Sequence, residues 1–255
     1  MSMAADTTAP FQAPRPMSTR LDVVHALRSL RKLLADKDDT VQVFEIMRAL
    51  NGASTAKGYH RLLDTPEGGR IAYEREEFGA RLMDDAWLDS FAPGTVGAAY
   101  RDFIREAGFS ADGLADVSRE GIREVDQPHP YAWFGRRTRD VHDLWHVLTG
   151  YGRDALGEAC LVAFSYAQTG GLGWALIAVG AAVKSHQAKD GNPYAKAIWQ
   201  GYKRGKAAKW LLGEDYVALM AEPIASARQR LGLTEATIYE MIPTDIRAGA
   251  LPKAA

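Results

Sequence analysis

His142 and His146 are the residues of this chain best suited to chemistry. Within VHDLWHVLTGYGRDALGE they lie four apart, so on a helix both imidazoles leave the same face and can grip a single ion. Asp143, three residues before His146, borders that face. The run breaks at Gly150 and Gly152, and Asp154 stands where an N-cap would open a second helix carrying Glu158 in its first turn. Folding that helix back brings the Glu158 carboxylate opposite the imidazoles. The pattern predicts one divalent metal ion held by His142, Asp143, His146 and Glu158, the same four residues forming the catalytic set. The plainer alternative is a chance histidine pair satisfied by Asp143, with Glu158 on a solvated face.

The donor set suits zinc, iron, manganese, cobalt or magnesium without distinguishing them, and is poorer for calcium, which prefers oxygens throughout. The spacing resembles the His-Glu-x-x-His of zinc peptidases. Asp143 is one methylene shorter than that glutamate and less able to reach a metal-bound water as general base, so a peptidase is not expected.

These residues must be positioned by helices. No alternating, β-branched run is long enough to require a strand, and the fold class is mainly α, a single compact helical domain over 19–245 behind a disordered N-terminal tail at 1–18, where three prolines interrupt any periodicity. Apolar spacing predicts helices from Thr19 to Leu34, from Asp38 or Asp39 to Asn51 with a left-handed cap at Asn51 and Gly52, and at His60–Arg75, Ala80–Leu88 and Gly94–Ala107. A Gly- and Asp-rich stretch with Pro128 and Pro130 then leads to one helix over Tyr131–Leu148. Further helices are expected at Asn192–Leu212, Tyr216–Gly232 and Thr234–Met241. Between them, ACLVAFSYAQTGGLGWALIAVGAAV, Ala159 to Val183, carries no charge over a length that could cross a bilayer. Ser165, Gln168, Thr169 and three glycines divide it, which favours a buried helical hairpin over a membrane span.

Composition excludes other classes. The 255 residues carry 31 Lys plus Arg against 32 Asp plus Glu, leaving no global field to attract nucleic acid. Cys160 stands alone, so no intrachain disulfide is expected. GGLGWA lacks a preceding strand, which argues against dinucleotide binding. Lys203, Arg204, Lys206 and Lys209 accompany Trp199, Tyr202 and Trp210, a mixture suited to an anionic membrane surface.

HDxxH, eleven residues and then Glu, followed by Ala167-Gln168-Thr169-Gly170, resembles the Coq-four family of ubiquinone (coenzyme Q) biosynthesis proteins. Arg61-Leu62-Leu63, Pro66-Glu67-Gly68, Gly94 to Phe103 and Gly205 to Gly232 resemble family blocks in the same order. The resemblance implies a helical fold with a metal at the motif beside a hydrophobic pocket for a polyprenyl tail. It also implies oxidative decarboxylation at C1 of the prenylated hydroxybenzoate ring, a hydroxyl replacing the carboxylate; the alternative is a non-catalytic lipid-binding scaffold that organises the other ubiquinone biosynthesis enzymes. A buried polyprenyl chain contributes roughly 0.8 kcal/mol per CH2, and Phe164, Tyr166, Trp174 and Leu176 are the residues expected to line its slot, although apolar residues at helical spacing are more often plain core.

Expected partners are thus a polyprenylated aromatic substrate, other quinone enzymes, a membrane surface and a second copy in a homodimer. Mitochondrial members of the family carry a targeting sequence. The tail here lacks an amphipathic pattern, so the expectation is a bacterial cytoplasmic protein, peripheral to the inner face of the membrane. A helical metal-dependent phosphohydrolase would need a second cluster, for which His186 with Asp190 is the nearby candidate.

Overall fold

The computed structural model describes residues 20–36, 39–106 and 129–251. The expected tail at 1–18, Asp38 and the Gly- and Asp-rich stretch through Pro128 lie outside them. The mainly α expectation holds: among the described residues the backbone forms helices and no strand, with one isolated antiparallel bridge between Thr95 and Pro223.

The uncharged stretch forms a hairpin. Helix α10, Ala155–Thr169, ends at Gly170 in the left-handed conformation (φ 68°), and α11, Leu172–Ser185, starts after Gly171. Neither is long and apolar enough to cross a membrane. Helix α12, Tyr194–Ala207, packs along α10. A side chain at Gly201 would strike the Cys160 carbonyl oxygen, so glycine there allows the two backbones to touch. Gln168 clamps the end of this pair. Its Nε2 donates to the Gly205 and Lys209 carbonyls at 2.8 and 3.2 Å, and its Oε1 accepts from the Leu211 N–H at 2.8 Å. The polar residue that divides the apolar stretch is thus a buried lock on backbone groups that would otherwise lack partners.

Helices α1, Val23–Ala35, and α2, Thr40–Leu50, cover α11. Leu30 approaches Gly180, Met47 lies over Gly173, and the Lys184 ammonium donates to the Leu34 carbonyl. Asn51 remains right-handed and Gly52 takes the left-handed turn (φ 53°), one position later than a cap at Asn51 would have it.

Four expected helices are divided. His60–Arg75 becomes α3, Ser54–Leu63, and α4, Gly68–Glu74, because Pro66 between them has no N–H to donate. Ala80–Leu88 becomes α5, Phe78–Leu82, and α6, Asp85–Asp89, with the Asp84 carboxylate accepting from the Trp87 N–H to start the second. Helix α7 spans Val96–Glu106. Tyr131–Leu148 becomes α8, Pro130–Asp140, and α9, His142–Thr149, abutting at Val141, whose ψ of −1° bends the helix without opening a loop. Pro223 divides Tyr216–Gly232 into α13, Tyr216–Met220, and α14, Ile224–Leu231. The chain closes with α15, Thr237–Glu240, and α16, Thr244–Arg247. One continuous apolar core runs from Ala26 to Ala250, past the expected boundary at 245.

Candidate metal centre

Helix α9 carries His142, Asp143 and His146, and one ligand atom from each lies within 4.8 Å of the others. The helix closes at Gly150, whose N–H donates to the His146 carbonyl at 2.9 Å, and Asp154 caps α10 by accepting from the Gly157 N–H at 2.9 Å. A side chain at Gly157 would meet the Gly152 carbonyl, so glycine lets α10 begin directly under the turn. Glu158 follows, its Oε2 3.5 Å from His142 Nε2 and its Oε1 3.3 Å from His146 Nε2. The two Glu158 oxygens divide between the two rings, so Glu158 joins the histidines, while the ligand atoms that mutually converge are those of His142, Asp143 and His146.

The orientation of His146 decides what the cluster can bind. Its side chain is 1% exposed, and its Nδ1 lies 2.9 Å from the Tyr151 carbonyl oxygen. A carbonyl only accepts, so Nδ1 carries a proton and donates it, and in the neutral ring the lone pair falls on Nε2. Nε2 is buried without a hydrogen-bond partner and faces a carboxylate oxygen. Two electron-rich atoms in contact call for a cation between them, so the residues fit a divalent metal, and the Tyr151 carbonyl acts as the outer partner that fixes the ring. Burial opposes ionisation of both His142 and Glu158, but contact prevails: in the metal-free protein, imidazole N–H groups that take a proton toward Glu158 hold its carboxyl well below the usual carboxylate range, and His142 is raised by Glu158 and Asp143.

Aromatic rings wall the cluster. Phe103 of α7 stacks on His146 with centroids 5.5 Å apart, and Trp174 of α11 stacks on His142 at 6.0 Å. The Arg153 guanidinium lies over the Phe103 ring, 4.0 Å from its centroid. Phe103, Tyr151 and Arg153 were not read as site residues. The pattern HDxxH gives no sign of them, because each reaches the cluster through a turn or from another helix. Among the residues expected to line a lipid slot, Trp174 touches the cluster. Tyr166 instead stacks on Tyr202 at 5.7 Å, Leu176 is half-buried on the core, and Phe164 is fully buried against Trp145.

Other sequence candidates disperse. Asp190 receives the Tyr194 hydroxyl at 2.5 Å, and His186 is exposed at the end of α11, so the two form no second cluster. Arg204 leaves the basic run, since it is buried with Nε donating to the Thr234 carbonyl at 3.0 Å and Nη2 to Thr149 at 2.8 Å. Lys203, Lys206 and Lys209 remain exposed.

The family model described as "Coenzyme Q (ubiquinone) biosynthesis protein Coq4" matches residues 21–237. The chain belongs to the Coq4 family. Among curated members, the mitochondrial ubiquinone biosynthesis protein coq-4 of Neurospora crassa is 29% identical over 174 residues, 68% of this chain and 48% of its own length. The mitochondrial COQ4 homolog of Bos taurus is 29% identical over 170 residues, 67% of this chain and 62% of its own. This Coq4-family chain thus matches about half to three-fifths of the length of these relatives. The crystal structure of a protein titled as a putative ubiquinone biosynthesis protein of Nostoc punctiforme superposes with a TM-score of 0.57, covering 84% of this chain and all of that one; at 21% identity it shows the shared fold. The expectation of a bacterial cytoplasmic protein at the inner face of the membrane is corrected here, because these curated Coq4 relatives are named as mitochondrial proteins. Ubiquinone biosynthesis is the process in which the family takes part.

Proposed function

We propose that this chain is an enzyme of ubiquinone biosynthesis that carries out a metal-dependent oxidative decarboxylation at C1 of a prenylated hydroxybenzoate ring, replacing the carboxylate with a hydroxyl. One observation supports it above others: the His146 Nε2 lone pair, buried 3.3 Å from a Glu158 oxygen beside His142 and Asp143, is a donor set in want of a cation. His142, Asp143, His146 and Glu158 would hold it. When bound, a divalent ion, whether zinc, iron, manganese, cobalt or magnesium, supplies positive charge against the electron density left on the ring as CO2 departs.

The remaining work belongs to the chain. Trp174 and Phe103 wall the imidazoles and restrict water, and the half-buried Trp174 offers a flat surface against which an aromatic ring can stack. Leu172, Leu176, Val179 and Val183 follow Trp174's helix at spacings of four, three and four, with three of them exposed, an apolar stripe on which a polyprenyl tail would lie. Exchange of carboxylate for hydroxyl takes two electrons from the ring as CO2 leaves; with dioxygen as the oxidant, reduced to hydrogen peroxide, and water supplying the hydroxyl, the exchange balances without a further reductant.

The test is turnover. Purified chain loaded separately with each ion is incubated in air with the prenylated, carboxylated precursor, and hydroxylated product is followed by mass spectrometry. Product from the wild type and none from His146→Ala supports the reading. No product with any ion, while the metal is retained, would exclude catalysis and favour the scaffold.

A further inference from the structure

We propose that the cleft between α4, α8 and α13 is a second binding site, separate from the metal centre, that takes a small monocarboxylate carrying a flat apolar group. The cleft has a volume of about 260 Å3. Arg137 lines it and is 6% exposed. Its Nη2 donates to the Glu214 carbonyl at 2.5 Å, its Nε has no hydrogen-bond partner, and no carboxylate among the described residues lies within ion-pair distance. A buried cation without an anion is costly unless something supplies the charge. Burial indeed lowers its pKa, only partly offset by the more distant Tyr216, Asp215 and Glu76.

The surroundings select the ligand. The guanidinium lies 4.7 Å from the Tyr216 ring centroid and 6.0 Å from that of Trp133, and Phe78 completes an aromatic lining. A carboxylate reaching Arg137 would therefore carry its apolar part against ring faces and edges. The rim charges are already paired with one another: Arg70 bridges Glu74 at 2.7 Å and Asp215 at 2.5 Å, and Glu76 pairs with Arg81 at 2.6 Å. Arg137 is the cation left over in the lining, and the three rim carboxylates disfavour a dianion such as phosphate. Tyr216 also connects the cleft to the metal helix, since its hydroxyl accepts from Trp145 Nε1 at 3.0 Å. Trp145 lies between His142 and His146 in sequence yet reaches this wall.

Benzoate is the probe, titrated into the full chain by calorimetry and by tryptophan fluorescence, with inorganic phosphate and benzamidine as comparisons. Saturable benzoate binding is expected, with neither comparison competing. Ala218→Trp places a large ring at an exposed position of the cleft lining and should weaken benzoate at least about tenfold at unchanged melting temperature. Arg137→Gln should do the same, with Arg137→Lys intermediate. Chelator should leave the affinity unaltered. No saturable binding, full affinity in Ala218→Trp, preference for phosphate or benzamidine, or loss of binding in chelator would each overturn the proposal.

Discussion

His146 Nδ1 lies 2.9 Å from the Tyr151 carbonyl oxygen, five residues along the chain and across the Gly150 turn. That contact assigns the ring proton and leaves Nε2 as a lone-pair donor toward Glu158. The turn is therefore part of the proposed metal site, because it supplies the group that orients His146 as well as the reversal that brings Glu158 back.

Metal content follows from this geometry. Wild-type protein, dialysed against each ion and measured by elemental analysis, should retain metal, and His142→Ala, His146→Ala and Glu158→Ala should each weaken binding by more than the roughly 10- to 100-fold typical of losing an outer partner. Phe103→Ala removes a wall and no donor, so a smaller loss is expected. Equal metal in all variants would sink the assignment of the site.

The response to pH should reverse with metal. In metal-free protein His142 is raised above its ordinary 6.5, so its contribution to stability is complete below that value and is lost as pH rises through the raised one. Glu158 is lowered from 4.5, so its contribution is complete above 4.5 and is lost only as pH falls through its much lower native value. Their pair thus stabilises most between pH 4.5 and 6.5. Metal requires neutral His142, so the stabilisation conferred by metal grows as pH rises. Melting temperatures with chelator and with metal should diverge above pH 6.5; parallel curves would refute the shared site.

Gly201→Ala should destabilise by about 1–3 kcal/mol, as overpacking of a tight contact does. The added methyl would meet the Cys160 carbonyl where α12 packs on α10. Urea unfolding measures it. A change below about 0.5 kcal/mol, the range of a neutral surface substitution, would mean that α10 and α12 separate freely.

Gln168→Leu should cost more than its size suggests. Three backbone groups, from Gly205, Lys209 and Leu211, would lose their partner in or near the core. Unsatisfied groups of this kind cost about 1–3 kcal/mol each. Urea unfolding and hydrogen exchange at the Leu211 amide report the loss; unchanged protection there would show that water replaces the side chain.

Local periodicity and capping were enough for much of this protein. The four-residue spacing of His142 and His146, the Asp154 cap and the Gly170 break act over one or two turns of chain, so the sequence alone determined the helical class, the hairpin and the meeting of His142, Asp143 and His146 on one helix face. Breaks at Pro66, Asp84 and Pro223 were equally local signals, outweighed in reading by the apolar spacing around them. Tertiary structure decided what depends on distant partners. Phe103 and Trp174 meet the histidines from separate helices, Arg204 leaves a basic run to cap buried carbonyls, and Arg137 is left without an anion beside a cleft. Residue type and spacing fix which way a side chain leaves its own helix; only packing fixes what it finds there.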